Sequence, residues 1–157
     1  MNIFVLDTDP KLCAQYHNDK HVIKMILESA QMLSTANRSV GLDEGYKATH
    51  VNHPCNKWLR ESLANWRWLR DLTYELHLEW KYRYEHPESK THKSFDVVCS
   101  LSIPNLPDTE MTPFALAMPD QYKSDNAVEA YRQYYMNDKP HLASWKKRGK
   151  PEWWIES

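Results

Sequence analysis

The stretch from Asp9 to Arg38, DPKLCAQYHNDKHVIKMILESAQMLSTANR, most constrains the fold, because its apolar residues recur at helical spacing. Asp9 followed by Pro10 is typical of a helix N-cap and the first helical position. At about 100° per residue, one apolar face holds Leu12, Tyr16, Val22, Ile23, Ile26, Leu27, Ala30 and Leu33. The pattern predicts one long helix from Pro10 to about Ala36 that packs this face against a core.

Two further helices are predicted along the chain. The second follows Pro54, is rich in tryptophan and ends before Pro87. The third begins after Asn126, where Glu129 lies three residues later and completes the pattern of a capping box. We expect the third helix to end near Asn137.

The remaining segments are short or irregular. Asn2–Leu6 is apolar and β-prone, and it predicts a short extended segment before the first helix. Prolines recur between Pro87 and Lys123, which predicts a short helix near Phe95–Leu101 and then an irregular, proline-rich wrap. The predicted fold class is therefore mainly α, a single compact domain over residues 1–157 with three principal helices.

Composition excludes several classes of protein. The 157 residues suit one domain, and 20 basic against 21 acidic residues indicate no particular partner. Three glycines and no GxGxxG string argue against a glycine-rich phosphate loop. No apolar run approaches the ~20 residues of a membrane span, and the amino terminus lacks a signal-peptide pattern. Three cysteines without a CxxC pair predict a reducing, cytoplasmic location.

A carboxylate interrupts the apolar face of the first predicted helix. Asp19 falls in the middle of that face, and Gln15 lies one turn before it. A buried carboxylate is costly unless it is paired, and burial and neighbouring charges shift its pKa. Such a group suits a general acid, a general base or an electrostatic stabiliser, which makes Asp19 and Gln15 candidate catalytic residues. The alternative is a structural hydrogen bond between helices.

The second predicted helix also carries polar residues on its apolar face. Ser62 and Asn65 fall among tryptophan and leucine side chains there. Two helices of this kind predict a buried polar pocket lined by tryptophan, and Asn65 joins the candidate catalytic residues. In the alternative, Asp19 and Asn65 only hold the two helices together.

The first helix also permits a metal site, although we expect neither a metal nor a cofactor. Cys13, His17 and His21 are spaced i, i+4, i+8, and the following loop adds His50, His53 and Cys55. These residue types form tetrahedral zinc sites, but the spacing matches no standard zinc signature. The alternative is a solvated polar flank of the helix, formed by Cys13, His17, His21, Lys24 and Glu28.

The C-terminal string SWKKRGKPEWW interleaves basic and aromatic residues. Lys146, Lys147 and Arg148 lie between Trp145 and a later pair of tryptophans. Cations bind phosphates and aromatic rings stack on bases, so the string predicts contact with nucleic acid. The alternative is that the rings pack in the core while the lysines are solvated.

Several strings resemble a group of small phage and phage-defence proteins: CAQYHNDKHVIKM, THVNHPCNKWLRESLANWRWL, YRYEH, PFALAMPDQYK and EAYRQYY with PEWW. They span most of the chain. More distantly, the sequence is similar to the phage pyrimidine-dimer DNA glycosylase (endonuclease V) family, and to glycosylase-like enzymes for hypermodified pyrimidines. The endonuclease V family is small and all-α, with a Gln-His feature in its first helix and a basic, aromatic tail. The resemblance implies a DNA glycosylase that excises a modified pyrimidine from DNA.

The resemblance also implies roles for individual residues. Gln15 and His17 match the Gln-His feature of the family. Asp19 would stabilise the cationic sugar or position water. His17 and His21 join the candidate catalytic residues, and together with Lys20 and Lys24 they are expected to contact phosphate or the target base. A base taken out of the duplex would stack on one of three tryptophans, Trp58, Trp66 or Trp68.

One departure from the family concerns the nucleophile. The endonuclease V family uses an amine that is exposed by removal of the initiator methionine, whereas the large side chain of Asn2 predicts that Met1 stays. The catalytic glutamate of the family has no clear counterpart in the sequence. We therefore expect a carboxylate that activates water, without a Schiff base, and a reaction that stops at the abasic site.

Two other function classes stay open. A transferase or pyrophosphorylase that builds a hypermodified thymine in phage DNA would need the same flipped base and an activated amine donor. A non-enzymatic DNA-binding or inhibitor module would use Asp19 only for structure.

Overall fold

Six α-helices and two short 3₁₀ helices form the regular structure of residues 1–155, the part of the chain that the computed structural model describes. The α-helices are α1 (Pro10–Tyr16), α2 (Asp19–Ser39), α3 (Pro54–Glu61), α4 (Leu63–Arg83), α5 (Lys93–Ser100) and α6 (Ala127–Asp138). The 3₁₀ helices span Asp120–Tyr122 and Pro140–Leu142. These residues contain no β-strand, which confirms the mainly α prediction.

The prediction of one helix from Pro10 to Ala36 is wrong, because the chain breaks it at His17 and Asn18. Both residues have extended backbone, with ψ of 137° and 163°. The Asn18 side chain then caps α2 by accepting a hydrogen bond from the N–H of His21 at 2.9 Å. An Asn that caps a new helix competes with continuation of the old one.

The break changes the rotational phase of all residues that follow it. Two residues that follow the break and were predicted for the core, Ile23 and Leu27, are each 38% exposed, as is Leu12 before the break. The cysteine, the histidines and the glutamate predicted for a solvated flank are instead buried: Cys13, His17, His21 and Glu28. A helical wheel drawn through a break assigns the wrong faces on one side of it.

The second predicted helix is also divided, at Ser62, so the three principal helices of the prediction become a larger number of shorter ones. Ser62 is extended (φ −156°, ψ 154°) and its hydroxyl accepts a hydrogen bond from the N–H of Asn65 at 3.1 Å. The N–H of Leu63 bonds to the carbonyl of Pro107 at 2.8 Å. The break therefore joins α4 to the irregular chain that follows α5.

The two later helices agree with their predicted positions. α5 lies within two residues of the predicted start, and α6 begins after an Asn126 whose side chain accepts a hydrogen bond from the N–H of Glu129 at 3.1 Å. In a full capping box the Glu129 side chain would accept a hydrogen bond from the N–H of Asn126. Here that N–H donates instead to the hydroxyl of Ser124 at 3.3 Å. Half of the predicted capping box is thus formed.

A central pair of helices, α2 and α4, organises the core. α1 packs on α4, α5 packs on α2, and α3 contacts both central helices. The extended amino-terminal segment, Ile3–Leu6, is buried and packs with the tyrosines of α6, so the first residues of the chain are held inside the molecule. Within residues 1–155, no helix is long and apolar enough to cross a membrane.

Candidate active site

The amino terminus of the chain lies against the side chain of Glu28 on α2. The nitrogen of Met1 is 3.3 Å from Glu28 Oε1, and the N–H of Asn2 donates to the same oxygen at 3.2 Å. Lys24, one turn earlier, places its Nζ 3.7 Å from Glu28 Oε2. The Glu28 side chain is only 11% exposed, so a partly desolvated carboxylate is held between two cations. An amine paired with a carboxylate combines a nucleophile with a group that exchanges its proton.

Buried hydrogen bonds of Asn2 fix the position of the amino terminus. Its Nδ2 donates to the carbonyl of Ala117 at 2.8 Å, and its Oδ1 lies 3.3 Å from the hydroxyl of Tyr131. The Met1 side chain is only 4% exposed, so it is also held by the protein. The backbone nitrogens of residues 1 and 2 both lie within 3.3 Å of Glu28. The carboxylate can therefore exchange a proton with a terminal amine on either residue.

The loop before α3 brings two histidines into the neighbourhood of the amino terminus. Burial lowers the pKa of His53, with smaller contributions from the charge of the amino terminus and from His50, so the ring is neutral at pH 7. Its Nδ1 accepts a hydrogen bond from the N–H of Cys55 at 3.1 Å. His50 has φ of 49°, a left-handed conformation that is uncommon outside glycine and often occurs at functional sites. The Nδ2 of Asn56 donates a hydrogen bond to the carbonyl of His50 at 2.8 Å.

Asp19, the predicted catalytic carboxylate, is buried in a separate ionic network. Its Oδ1 accepts hydrogen bonds from the backbone N–H of Lys146 at 2.8 Å and from Arg83 at 3.2 Å. Its Oδ2 accepts from the hydroxyl of Ser144 at 2.7 Å. Both oxygens thus bind partners that join α2, α4 and the C-terminal tail, which favours the structural alternative. Within residues 1–155 no hydrogen bond joins Asp19 to Asn65, so these two side chains do not link their helices directly to each other.

A buried arginine stabilises the break between α1 and α2. Arg83 donates to the carbonyl of His17 at 2.6 Å, to the carbonyl of Gln15 at 2.7 Å and to Glu79 at 2.8 Å. These carbonyls belong to the end of α1, where a helix leaves its last acceptors unpaired. Arg148 also binds Glu79. Gln15, a predicted catalytic residue, thus contributes its carbonyl to this network, and it lines a cavity of about 260 Å³ beside Arg148.

His17 and His21, also predicted as catalytic residues, are enclosed next to Tyr135 of α6. His17 Nδ1 donates to the carbonyl of Cys13 at 2.7 Å, and a hydrogen bond of 2.8 Å joins the hydroxyl of Tyr135 to His21 Nδ1. The same hydroxyl accepts a hydrogen bond from the N–H of Asn18 at 3.0 Å. Burial lowers the pKa of His17 to about 4 and that of His21 to about 3. Neutral, enclosed rings do not fit the phosphate contact that the resemblance implied.

These two histidines predict a loss of stability in mild acid. Their pKa values are lower in the folded chain than the ordinary 6.5 of an unfolded one, so the unfolded state binds more protons below pH 6.5. The stabilisation is complete above pH 6.5 and is lost as the pH falls toward 4, at up to about 1.4 kcal/mol per pH unit for each histidine. Urea unfolding at pH 7.5, 6, 5 and 4.5 measures this slope.

Two variants test whether the buried histidines cause the change in the free energy of unfolding with pH. His21→Gln is expected to flatten the pH dependence of the free energy of unfolding between pH 6.5 and 4.5. His141→Gln, at an exposed histidine, is expected to leave it as in the wild type. A wild-type stability that does not change over this range would contradict the prediction.

The zinc alternative is wrong for the residues proposed for it. No group of three His, Cys, Asp or Glu side chains that could hold a metal ion occurs in the described part of the chain. The thiol of Cys13 donates to the carbonyl of Phe4 at 3.2 Å, and burial raises its pKa to about 12. The hydrogen bond to Phe4 and the enclosure of Cys13 hold this thiol in the core.

The tryptophans predicted to stack on a base are buried instead. Trp58, Trp66 and Trp68 all lie in the core, and the indole N–H groups of the first and third donate to backbone carbonyls at 3.1 and 2.8 Å. Enclosed rings offer no free face to a base, so this prediction is wrong. Asn65, a predicted catalytic residue, donates to the carbonyl of Trp58 at 2.7 Å and to the hydroxyl of Thr112 at 2.8 Å, which makes it a structural link.

The basic C-terminal residues are exposed, but several of them contact α4 or the residues that follow it. Arg148 binds Glu79, and Lys147 pairs with Glu85 at 3.0 Å. The Nζ of Lys146 lies 5.9 Å from the centre of the Tyr84 ring. DNA contact by Lys146, Lys147 and Arg148 stays a prediction. Lys20 and Lys24 are exposed on α2, and Lys24 belongs to the neighbourhood of Glu28.

A model of the pyrimidine dimer DNA glycosylase family matches residues 1–92. This match covers more than half of the chain and includes the amino terminus, Glu28 and α1 to α4. The chain therefore belongs to the pyrimidine dimer DNA glycosylase family, which confirms the resemblance. Membership indicates a DNA-glycosylase-like function with DNA as the partner. Neither a curated protein nor a solved structure matches the chain.

The sequence pattern did not single out Glu28 as a candidate functional residue. It placed Glu28 on the polar flank of the first helix and found no counterpart for the catalytic glutamate of the family. The available signal was spacing, because Glu28 follows Lys24 by one turn. What the spacing could not show is that the amino terminus returns to this point of α2.

Proposed function

We propose that this protein is a DNA glycosylase that excises a damaged or modified pyrimidine, with Glu28 and the amino terminus as its catalytic groups. Family membership supports the class of reaction. The observation that carries the proposal is the distance of 3.3 Å between the Met1 nitrogen and Glu28 Oε1. The proposal keeps the predicted carboxylate-assisted cleavage but assigns it to Glu28, because Asp19 has its oxygens occupied by other partners.

The reaction proceeds by attack of the neutral amine on C1′ of the deoxyribose. A bond forms between the amine nitrogen and C1′ while the bond from C1′ to the pyrimidine nitrogen breaks. The pyrimidine leaves with that electron pair and takes a proton from solvent. Glu28 accepts the proton that the amine loses and stabilises the positive charge on the sugar, and opening of the sugar ring then yields an imine. Water hydrolyses the imine and restores the amine.

The target base must leave the helical stack before C1′ becomes accessible. Lys20 and Lys24 are exposed on the same helix as Glu28 and suit contact with phosphates on either side of the target. Buried tryptophans are not needed for this step. The extruded nucleotide would meet the surface of α2 near the amino terminus.

The test is release of a base by the purified protein. Substrates are duplex DNA with ultraviolet-induced pyrimidine dimers, phage DNA with modified pyrimidines, and unmodified DNA. Alkali-labile sites and mass spectrometry of the released bases report excision. We expect excision from one of the first two substrates and none from unmodified DNA. Absence of abasic sites on all three would contradict the proposal.

Borohydride distinguishes the amine from water as the nucleophile. Reduction of the imine would join the protein covalently to the DNA, and peptide mapping would place the adduct at the amino terminus. Base release without an adduct would instead favour water activated by Glu28, the mechanism that the sequence alone suggested.

The variant Asp19→Asn tests which of the two carboxylates, Asp19 or Glu28, takes part in base release. We expect the variant to lose stability, because the Arg83 guanidinium keeps its buried position without its full set of charged partners. Base release per folded molecule is expected to stay within about threefold of the wild type, a change of under 1 kcal/mol in the barrier. Thermal unfolding and single-turnover base release measure the two effects. A loss of base release in a variant with unchanged stability would return the catalytic role to Asp19.

A further inference from the structure

Two large apolar side chains lie exposed on α2 beside the candidate active site. Ile23 and Leu27 are each 38% exposed, and both were expected in the core. They are one turn apart on a helix, so their Cβ atoms are about 5–6 Å from each other and form one patch. Leu27 immediately precedes Glu28 in the chain. Scattered apolar residues are common on surfaces, but an adjacent pair next to a catalytic group calls for a partner.

Two exposed lysines lie beside this apolar pair on the helix surface, between the pair and Glu28. Lys20, Ile23, Lys24 and Leu27 share the exposed stripe, and Glu28 lies at its edge. At about 100° per residue, these five positions occupy an arc of about 140°. An apolar edge with lysines beside it complements DNA, whose phosphates are anionic and whose base steps present apolar faces.

We propose that Ile23 and Leu27 form an apolar wedge that enters the DNA base stack beside the target pyrimidine, while Lys20 and Lys24 hold the neighbouring phosphates. This inference rests on the proposed function and deepens it. Apolar side chains that insert between base steps unstack them, and filling the opened step offsets the cost of unstacking. The wedge lies about 100–140° around α2 from Glu28 at 100° per residue, with the two lysines between them, so the step that it opens would adjoin the nucleotide that faces the carboxylate.

Truncation of the wedge should affect duplex and single-stranded substrates differently. We compare the double variant Ile23→Ala/Leu27→Ala with the wild type on one lesion placed in a duplex and in a single strand. Alanine keeps the helix propensity of α2, and exposed side chains contribute little to folding. We expect base release from the duplex to fall at least about tenfold, because the cost of extrusion is no longer offset. Release from the single strand should stay close to that of the wild type.

Leu12→Ala is the matched control. Leu12 has the same exposed fraction as Leu27 but lies on α1, outside the stripe. Its base release from both substrates is expected to equal that of the wild type. Equal loss on both substrates in the double variant, or no loss on the duplex, would overturn the wedge. A wild-type dimer that the double variant dissociates, seen by light scattering, would also overturn it and assign the patch to contact between two copies.

A fluorescence measurement makes the wedge testable without catalysis. 2-Aminopurine placed next to the lesion in a duplex brightens when its step unstacks. We expect the wild type and Glu28→Gln to raise the fluorescence, and Ile23→Ala/Leu27→Ala not to raise it. If the wild type excises no base from any DNA, the proposed function fails. In the fluorescence measurement the wedge fails if the double variant raises the signal as much as the wild type, or if the wild type does not raise it.

Discussion

Glu28→Gln is expected to lower base release by about 10²–10⁴-fold, the usual range for loss of a proton-transferring group. The amide retains an oxygen that can accept a hydrogen bond from the N–H of Asn2, which Glu28 Oε1 does at 3.2 Å. It cannot accept the proton of the amine or stabilise a cationic sugar. Single-turnover base release on the preferred substrate measures the effect, and circular dichroism checks the fold.

Glu129→Gln is the control for this substitution, because Glu129 is an exposed glutamate on another helix, α6. Its base release should equal that of the wild type. A Glu28→Gln variant that releases base at the wild-type rate would remove Glu28 from the mechanism. Borohydride trapping of Glu28→Gln adds a second readout, since the yield of the adduct should fall together with base release.

Arg83→Met is expected to lower the free energy of unfolding by about 3–5 kcal/mol, the usual cost of removing one partner of a buried ion pair. Arg83 is fully enclosed and bonds two carboxylates, Asp19 and Glu79. It also satisfies the carbonyls of Gln15 and His17. Methionine fills a similar volume but donates no hydrogen bond, so these groups stay buried and unpaired. For a chain of this size the melting temperature should fall by roughly 6–20 °C.

Arg67→Met serves as the comparison, because Arg67 is an exposed arginine on the same helix, α4. Its free energy of unfolding should change by less than about 0.5 kcal/mol, as for other surface substitutions. Differential scanning calorimetry of both variants at pH 7 measures the contrast. Equal melting temperatures for Arg83→Met and the wild type would show that the buried network does not stabilise the break between α1 and α2.

The helical elements were largely predictable, whereas their breaks were not. Asp9 with Pro10 and Asn126 with Glu129 are local signals, and both mark helix starts in the structure. Asn18 and Ser62 are equally good N-caps. Because each lies within a continuous apolar pattern, the sequence is also compatible with a position inside one longer helix. What selects the break at Asn18 is Arg83, which bonds the carbonyl of His17 from 66 residues away.

The candidate site depended still more on long-range contacts. Family membership could be inferred from sequence strings, and so could the lysines of α2. Asp19 was recognised correctly as a carboxylate in a buried place, but the pattern could not distinguish a catalytic carboxylate from one paired with Arg83. The sequence pattern identified Glu28 only as a polar residue of the helix. Its partner is the amino terminus, which is distant in the sequence.

The sequence by itself therefore determined the all-helical class, most helix starts and the family, since N-caps, proline positions and apolar spacing act over a few residues. Only the tertiary structure decided which carboxylate meets the amine and which apolar residues face solvent. The physical reason is the two-residue break at His17 and Asn18. It rotates α2 so that Asp19 faces Arg83, Glu28 faces the amino terminus, and Ile23 with Leu27 faces outward.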